Sequence, residues 1–241
     1  MGFGTCHEPP AHDSVWLMAI RRFVGVLVIV LLAGCAPRPA SPSAGASATT
    51  TAAASATPLA RDFTPRELPA SGRLEAGVYT RAAFEPPITF ELDDGWVVGT
   101  IATGFFDVQQ QPGSPDVIAV QFANVEAVVG ADGRRVDVTS AQEAAAAVTR
   151  NPALTILGES DSRLGGLVGF TIEVENGGDV HAGVLDVPPG LLGIDPSRRL
   201  WISLFDTGEG VLAVLVGGSV ARWDAALQEA EPVLESVVIG H

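Results

Sequence analysis

Lysine is missing from all 241 residues, and cysteine occurs only at positions 6 and 35. Tyrosine appears once and methionine twice, and charged residues make up only 17% of the chain against roughly 25% in an average soluble domain. Each shortage excludes something. Without a lysine-rich or mixed basic run there is no electrostatic footprint for nucleic acid, whose binding requires cations to displace the condensed counterions. Fourteen arginines face 28 acidic residues, a net charge of −14, which sets the average field against any polyanion. The missing lysine reads as a coding bias toward arginine. A normal apolar share of 47% excludes intrinsic disorder for the chain as a whole.

What is present begins with an address. Arg21 and Arg22 precede the apolar run Phe23 to Leu32, and Ala33-Gly34-Cys35 follows. That run is well short of the roughly 20 residues needed to span hydrocarbon, so it reads as a signal h-region and not as a transmembrane helix. Leu32-Ala33-Gly34-Cys35 matches the bacterial lipoprotein signal, which implies cleavage before Cys35 and lipidation of its thiol. An ordinary secretory signal or an uncleaved anchor would leave Cys35 incidental. Residues 1–34 are therefore expected to be a signal peptide. Glu8, Asp13 and two prolines precede the basic pair, and this favours Met18 as the true start. Cleavage removes Cys6 and lipidation consumes Cys35, so the mature chain has no free thiol and no possible disulfide.

Residues 35–60 hold almost only Ala, Ser, Thr and Pro beyond the cysteine, and nothing in them offsets the entropy of ordering. They are expected to form a tether of roughly 25–30 Å r.m.s. span. Residues 61–241 carry every periodic segment and are expected to form one globular domain.

Strand patterns dominate that domain: Gly77 to Thr80, Ile88 to Leu92, Val117 to Phe122, Leu167 to Val174, Val180 to Val187, Leu200 to Phe205 and Val211 to Val216. Strict alternation, as in Phe170-Thr-Ile172-Glu-Val174-Glu, marks antiparallel strands. Asp93-Asp94-Gly95, Asp132-Gly133, Asn176-Gly177-Gly178 and Gly208-Glu209-Gly210 supply turn chemistry, and the Asn176 turn reads as a hairpin joining two strands. Ser140-Ala-Gln-Glu143 is a capping-box pattern opening a helix that Asn151-Pro152 ends. A second helix from about Ala221 to Glu235 places Trp223, Leu227, Ala230, Leu234 and Val237 on one face, with a kink or restart expected at Pro232. Its other face, Asp224, Gln228, Glu229, Glu231 and Glu235, reads as solvated. The fold class expected is α+β, an antiparallel β-sheet flanked by helices in an α/β/α sandwich.

Two stretches resemble a known family. Phe84-Glu-Pro-Pro-Ile88-Thr-Phe90-Glu-Leu-Asp-Asp-Gly95-Trp96 is similar to the opening strand and Gly-Trp turn of Mog1/PsbP-like domains, including LpqN-type actinobacterial lipoproteins. Trp223 to Leu227 and Pro232 to Ile239 resemble their closing helix and last strand. The resemblance spans most of residues 70–240. It implies the same sheet-and-helix architecture and a binding or accessory role, and it transfers no functional residue.

Chemistry-bearing residues are sparse. The mature chain keeps only His181 and His241 as imidazole ligands and no thiol, so no metal site or cofactor is expected. Asp93-Asp94 and Glu159-Ser160-Asp161-Ser162 lack the spacing of a calcium loop and read as solvated turns. Gly165-Gly166-Leu-Val-Gly169 opens a strand and is no dinucleotide motif. Alternation places Asp179 and His181 on one strand face, and Gly217-Gly218-Ser219-Val220-Ala221 approaches a nucleophile elbow without its last glycine. As the first residue before a helix, Ser219 reads foremost as an N-cap. The expectation is a monomeric, non-enzymatic binding or accessory domain, held by lipid at Cys35 on the outer face of the cell membrane. Its ligand, a protein or a small molecule, would be neutral, apolar or cationic, and nucleic acid is excluded. The alternative is a secreted-side serine hydrolase using Ser219 and His181.

Overall fold

A computed structural model describes residues 64–130 and 132–240. The expected signal peptide, Cys35 and the expected tether lie outside the described residues. In chain order the elements are β1 (Arg66–Glu67), β2 (Gly72–Arg73), β3 (Gly77–Arg81), β4 (Ile88–Leu92), β5 (Val97–Ala102), β6 (Phe105–Gln110), β7 (Ile118–Val125), β8 (Ala127–Val129) and β9 (Arg135–Asp137). Then come α1 (Ala141–Thr149), β10 (Leu154–Leu164), β11 (Leu167–Asn176), β12 (Ala182–Val187), β13 (Gly190–Ile194), β14 (Arg198–Asp206), β15 (Val211–Ser219), α2 (Trp223–Glu235) and β16 (Val238–Ile239).

Eight strands form a central sheet in the order β10-β11-β14-β15-β7-β6-β5-β2, and all its pairings are antiparallel. The sheet β1-β3-β4-β16 and helix α2 cover one face; the sheet β13-β12-β8-β9 and α1 cover the other. The expected sandwich is therefore present, with each outer layer built from a small sheet and one helix. β15 shows why its sequence is continuously apolar: Leu212, Val214 and Val216 enter the core on the α2 side, and Val211, Ala213 and Leu215 enter the core on the α1 side. A strand buried on both faces has no polar alternation to display. Gly218 lets α2 approach closely, since a Cβ there would stand 2.8 Å from the Ala226 Cβ.

On the α2 side, phenylalanines join the layers. Phe106 of β6 and Phe122 of β7 stack with centroids 4.7 Å apart. Phe90 of the outer strand β4 stacks on both, at 5.9 Å and 5.6 Å, and Phe84 meets Phe106 edge-on at 5.3 Å.

Several expectations need correction. The Asn176 turn does not join paired strands: β11 pairs with β10 and β14, while β12 pairs with β13 and β8 in another sheet. Asn176 is buried and its amide donates to the Val180 and Ile194 carbonyls, so the residue ties a crossing between layers. The tight hairpin nearby is Gly165-Gly166, both at positive φ, joining β10 to β11. Glu159 to Ser162 is strand and not turn. α2 runs unbroken through Pro232, which sits in its last turn and is solvent-exposed, so the ring faces water and only the Gln228 carbonyl loses its helical donor. Ser140 caps α1 as expected, accepting from the Glu143 N–H at 3.2 Å. The Glu143 carboxylate instead accepts from the Thr139 N–H and hydroxyl, which hold its pKa below the usual value.

Phe106→Ala should lower stability by about 3–5 kcal/mol, because it opens a cavity at the junction of two layers. Urea unfolding monitored by circular dichroism would read this, and a loss under 1 kcal/mol would show the stack to be dispensable.

Candidate functional site

The two residues of the hydrolase alternative have separate settings. Ser219 ends β15; its hydroxyl donates to Asp116 at 3.3 Å and accepts no N–H from the following helix, so it is not the N-cap expected. It lines a cavity of about 520 Å³ with Gln121, Asp195 and Arg198. There the Arg198 guanidinium donates to the Pro115 and Val117 carbonyls, and burial pulls its pKa below the ordinary value against the opposing pull of Asp195 and Asp116. His181 precedes β12, so the strand alternation that placed it beside Asp179 does not apply. Its Nδ1 lies 2.8 Å from Asp195, and it lines a different cavity, of about 450 Å³. The structure gives the hydroxyl and the imidazole different carboxylate partners and no bond to each other. Among the described residues no three His, Cys, Asp or Glu side chains gather as a metal would require. No helix among them is long and apolar enough to cross a membrane.

Asp107 is the buried carboxyl. It points from β6 toward the bulge in β5 and accepts from the Thr100 N–H and the Gln109 side-chain amide. Burial raises its pKa, and those two hydrogen bonds offset the effect only partly. At 2% exposure the group is sealed by its neighbours.

The site with room and chemistry lies beneath α2. Cross-strand register sets two rungs on the α2 side of the central sheet. One runs Val216, Trp201, Glu173, Gly158; the other runs Val214, Ser203, Thr171, Ser160. α2 packs over β15, β7 and β4, and beyond it the rungs turn from apolar to polar. A groove of about 480 Å³ opens there, with Leu164, Trp201 and Ser203 on the sheet side and Leu227 and Leu234 on the helix side. It continues into a recess of about 240 Å³ toward Ser160 and Glu159 on the sheet edge, sharing Trp201 and Leu227.

Its polar groups are few and specific. Thr171 and Ser203 share a 2.7 Å hydroxyl hydrogen bond. Trp201 is half-buried, and its indole N–H, out of reach of water, has no partner among the described residues. Asp224, Glu231 and Glu235 of α2 stand along the rim with Arg163 opposite. None of these three carboxylates joins an ion pair among the described residues. At one end Arg199 holds the floor, donating to Glu173 at 3.2 Å and Glu175 at 3.0 Å and covering the Trp223 ring at 5.6 Å. A mostly apolar cleft with a few unpaired polar groups is the usual form of a ligand site. Sequence reasoning missed it because the rim of α2 looks like any solvated helix face; the small residues at alternate positions 158, 160 and 162 were the available signal.

No protein-family model matches the sequence, and no curated protein matches it. Among solved structures, the chain is similar to cyanobacterial PsbP (CyanoP) from Synechocystis sp. PCC 6803, with 14% identity and a TM-score of 0.41, over 72% of this chain and 98% of that one. It is also similar to LpqN, a protein involved in cell envelope biogenesis of Mycobacterium tuberculosis, with 11% identity and a TM-score of 0.39, over 71% and 91% respectively. These likenesses bring no site residue with them.

Asp107 carries a pH signature. With its folded pKa above the unfolded value, its favourable contribution is complete below the unfolded pKa and is lost as pH rises through the folded one. Asp107→Asn removes that titration, and Gln109 can turn its amide to donate or accept as needed. The melting temperature of Asp107→Asn relative to wild type should therefore climb between pH 4 and pH 7. A difference that stays flat across that range would contradict the assignment.

Proposed function

We propose that this is a lipid-anchored binding module on the extracytoplasmic face of the cell membrane, and that the groove beneath α2 is where its domain binds a neutral, apolar or cationic ligand. The groove carries the reading: it pairs an apolar floor with three α2 carboxylates, Asp224, Glu231 and Glu235, that join no ion pair among the described residues. Charge agrees, because residues 61–241 hold 26 acidic residues against 11 arginines. At 0.15 M salt a field of that sign extends only about 8 Å, so it acts on a ligand at contact and not at a distance. The tether stretch after Cys35 would hold the domain clear of the anionic headgroups that its charge disfavours.

Two measurements test the two halves. A clickable fatty acid fed to cells should label the wild-type chain and leave Cys35→Ser unlabelled; equal labelling would remove the anchor. For the groove, a neutral polarity-sensitive dye such as Nile red should brighten with the purified chain, and Leu227→Arg should abolish the signal while circular dichroism shows the chain still folded. Dye enhancement that survives Leu227→Arg would place binding elsewhere.

A further inference from the structure

β10 ends the central sheet. It pairs with β11 on one side only, and with 11 residues it is longer than any other strand among those described, whereas β2 at the opposite end has two. After the bulge between Ile156 and Gly158 its register with β11 is regular from Gly158 to Leu164. An end strand of that length presents a row of unpaired N–H and C=O groups, and edge strands left this way accept another strand readily. The side chains that β10 turns to the groove face are Gly158, Ser160 and Ser162, because they stand opposite Glu173, Thr171 and Gly169. All three are small, so the recess that reaches Trp201 and Leu227 is not walled off at the sheet edge.

Resting on the reading of the groove as the binding site, we propose that its occupant is an extended segment of a partner protein carrying basic side chains, which adds to β10 as a further strand and lays alternate side chains into the groove. Main-chain hydrogen bonds to β10 would supply affinity and the recess would supply selectivity, the division of labour usual in strand addition. A side chain of the added strand has one strand spacing of about 4.8 Å to cross before it stands over Ser160 or Ser162. A lysine or arginine stem covers that distance, burying its methylenes against Leu227 and carrying its charge toward the rim. Asp224, Glu231 and Glu235 at the rim complement a cation there, with Arg163 the one positively charged residue among the groove's described lining residues. An acidic strand would meet like charges without compensation.

The test uses the purified full chain and three blocked nine-residue peptides. One alternates valine with lysine, the second replaces lysine by glutamate, and the third is the lysine peptide N-methylated at every second residue, made in both phases. The lysine peptide should bind, displace the dye and slow amide hydrogen exchange within Gly158 to Leu164 at least tenfold. The glutamate peptide should bind at least tenfold more weakly, and one phase of N-methylation should abolish binding. Ser160→Arg, which fills the open edge with a long cation, should weaken the lysine peptide at least tenfold. Val168→Arg, an exposed position on the opposite face of β11, should leave it unchanged. The proposal is overturned if both methylated peptides bind like the parent, if the glutamate peptide binds equally, or if β10 gains no protection. Dye binding in the groove without protection of β10 refutes strand addition and leaves the groove reading intact; a dye that never enters the groove removes that reading itself.

Discussion

The middle strands of the central sheet must satisfy two cores at once, and that demand shapes the rest. Along one rung Phe106, Phe122 and Val214 are buried beneath the outer sheet and α2, and the same rung continues as Ser203, Thr171 and Ser160 once the cover ends. The sheet has eight strands, while the outer sheet on this side and its helix cannot roof all of them. The groove is thus the uncovered remainder of a large sheet, and its polar hydroxyls and half-buried tryptophan are what a sheet face displays when it is neither core nor open solvent. The apolar packing that fixes α2 over β15 also fixes the width of the cleft.

Arginine's monopoly on positive charge has structural uses that a compositional bias alone does not convey. Arg66 lies 4.7 Å over the Tyr79 ring and donates to its hydroxyl, and Arg199 forks between two glutamates beside Trp223. Arg198 ties down two carbonyls, and Arg135 pairs with the buried Asp186. These are planar, multidentate tasks that a lysine ammonium performs poorly. With so many cations committed inside the molecule, the residual surface field is set by the unpaired carboxylates.

The architecture was legible where period and turn chemistry agreed. Ile88 to Leu92 alternates cleanly and is a strand with those bounds, and the Ser140 cap starts α1 at the next residue. Topology was less legible. Asn176-Gly177-Gly178 has the composition of a hairpin turn, yet the partner of a strand is decided by layers that local sequence does not encode. β10 escaped notice for a related reason: an exposed edge strand needs no apolar face, so Gly-Glu-Ser-Asp-Ser carries no burial signal. Of the candidate site, Ser219 and His181 could be named from motif and alternation, but their partners Asp116 and Asp195 come from distant loops. Trp201 was visible only as a strand residue, since the vacancy above it depends on where a helix stops.

The short strand β16 gives the fold a direction in time. Ile239 pairs with Ile88 and Val238 with Thr89, so the outer sheet that shields Phe90 incorporates the last described strand of the domain beside one of its first. A chain emerging from its N-terminus can assemble hairpins such as β5-β6 early. It cannot close the roof over the phenylalanine stack until α2 and β16 have followed, because the pairing that completes that sheet spans nearly the whole domain. Commitment to the native state is thereby deferred until α2 and β16 have been made, and loss of β16 would unroof a core laid down much earlier in the chain.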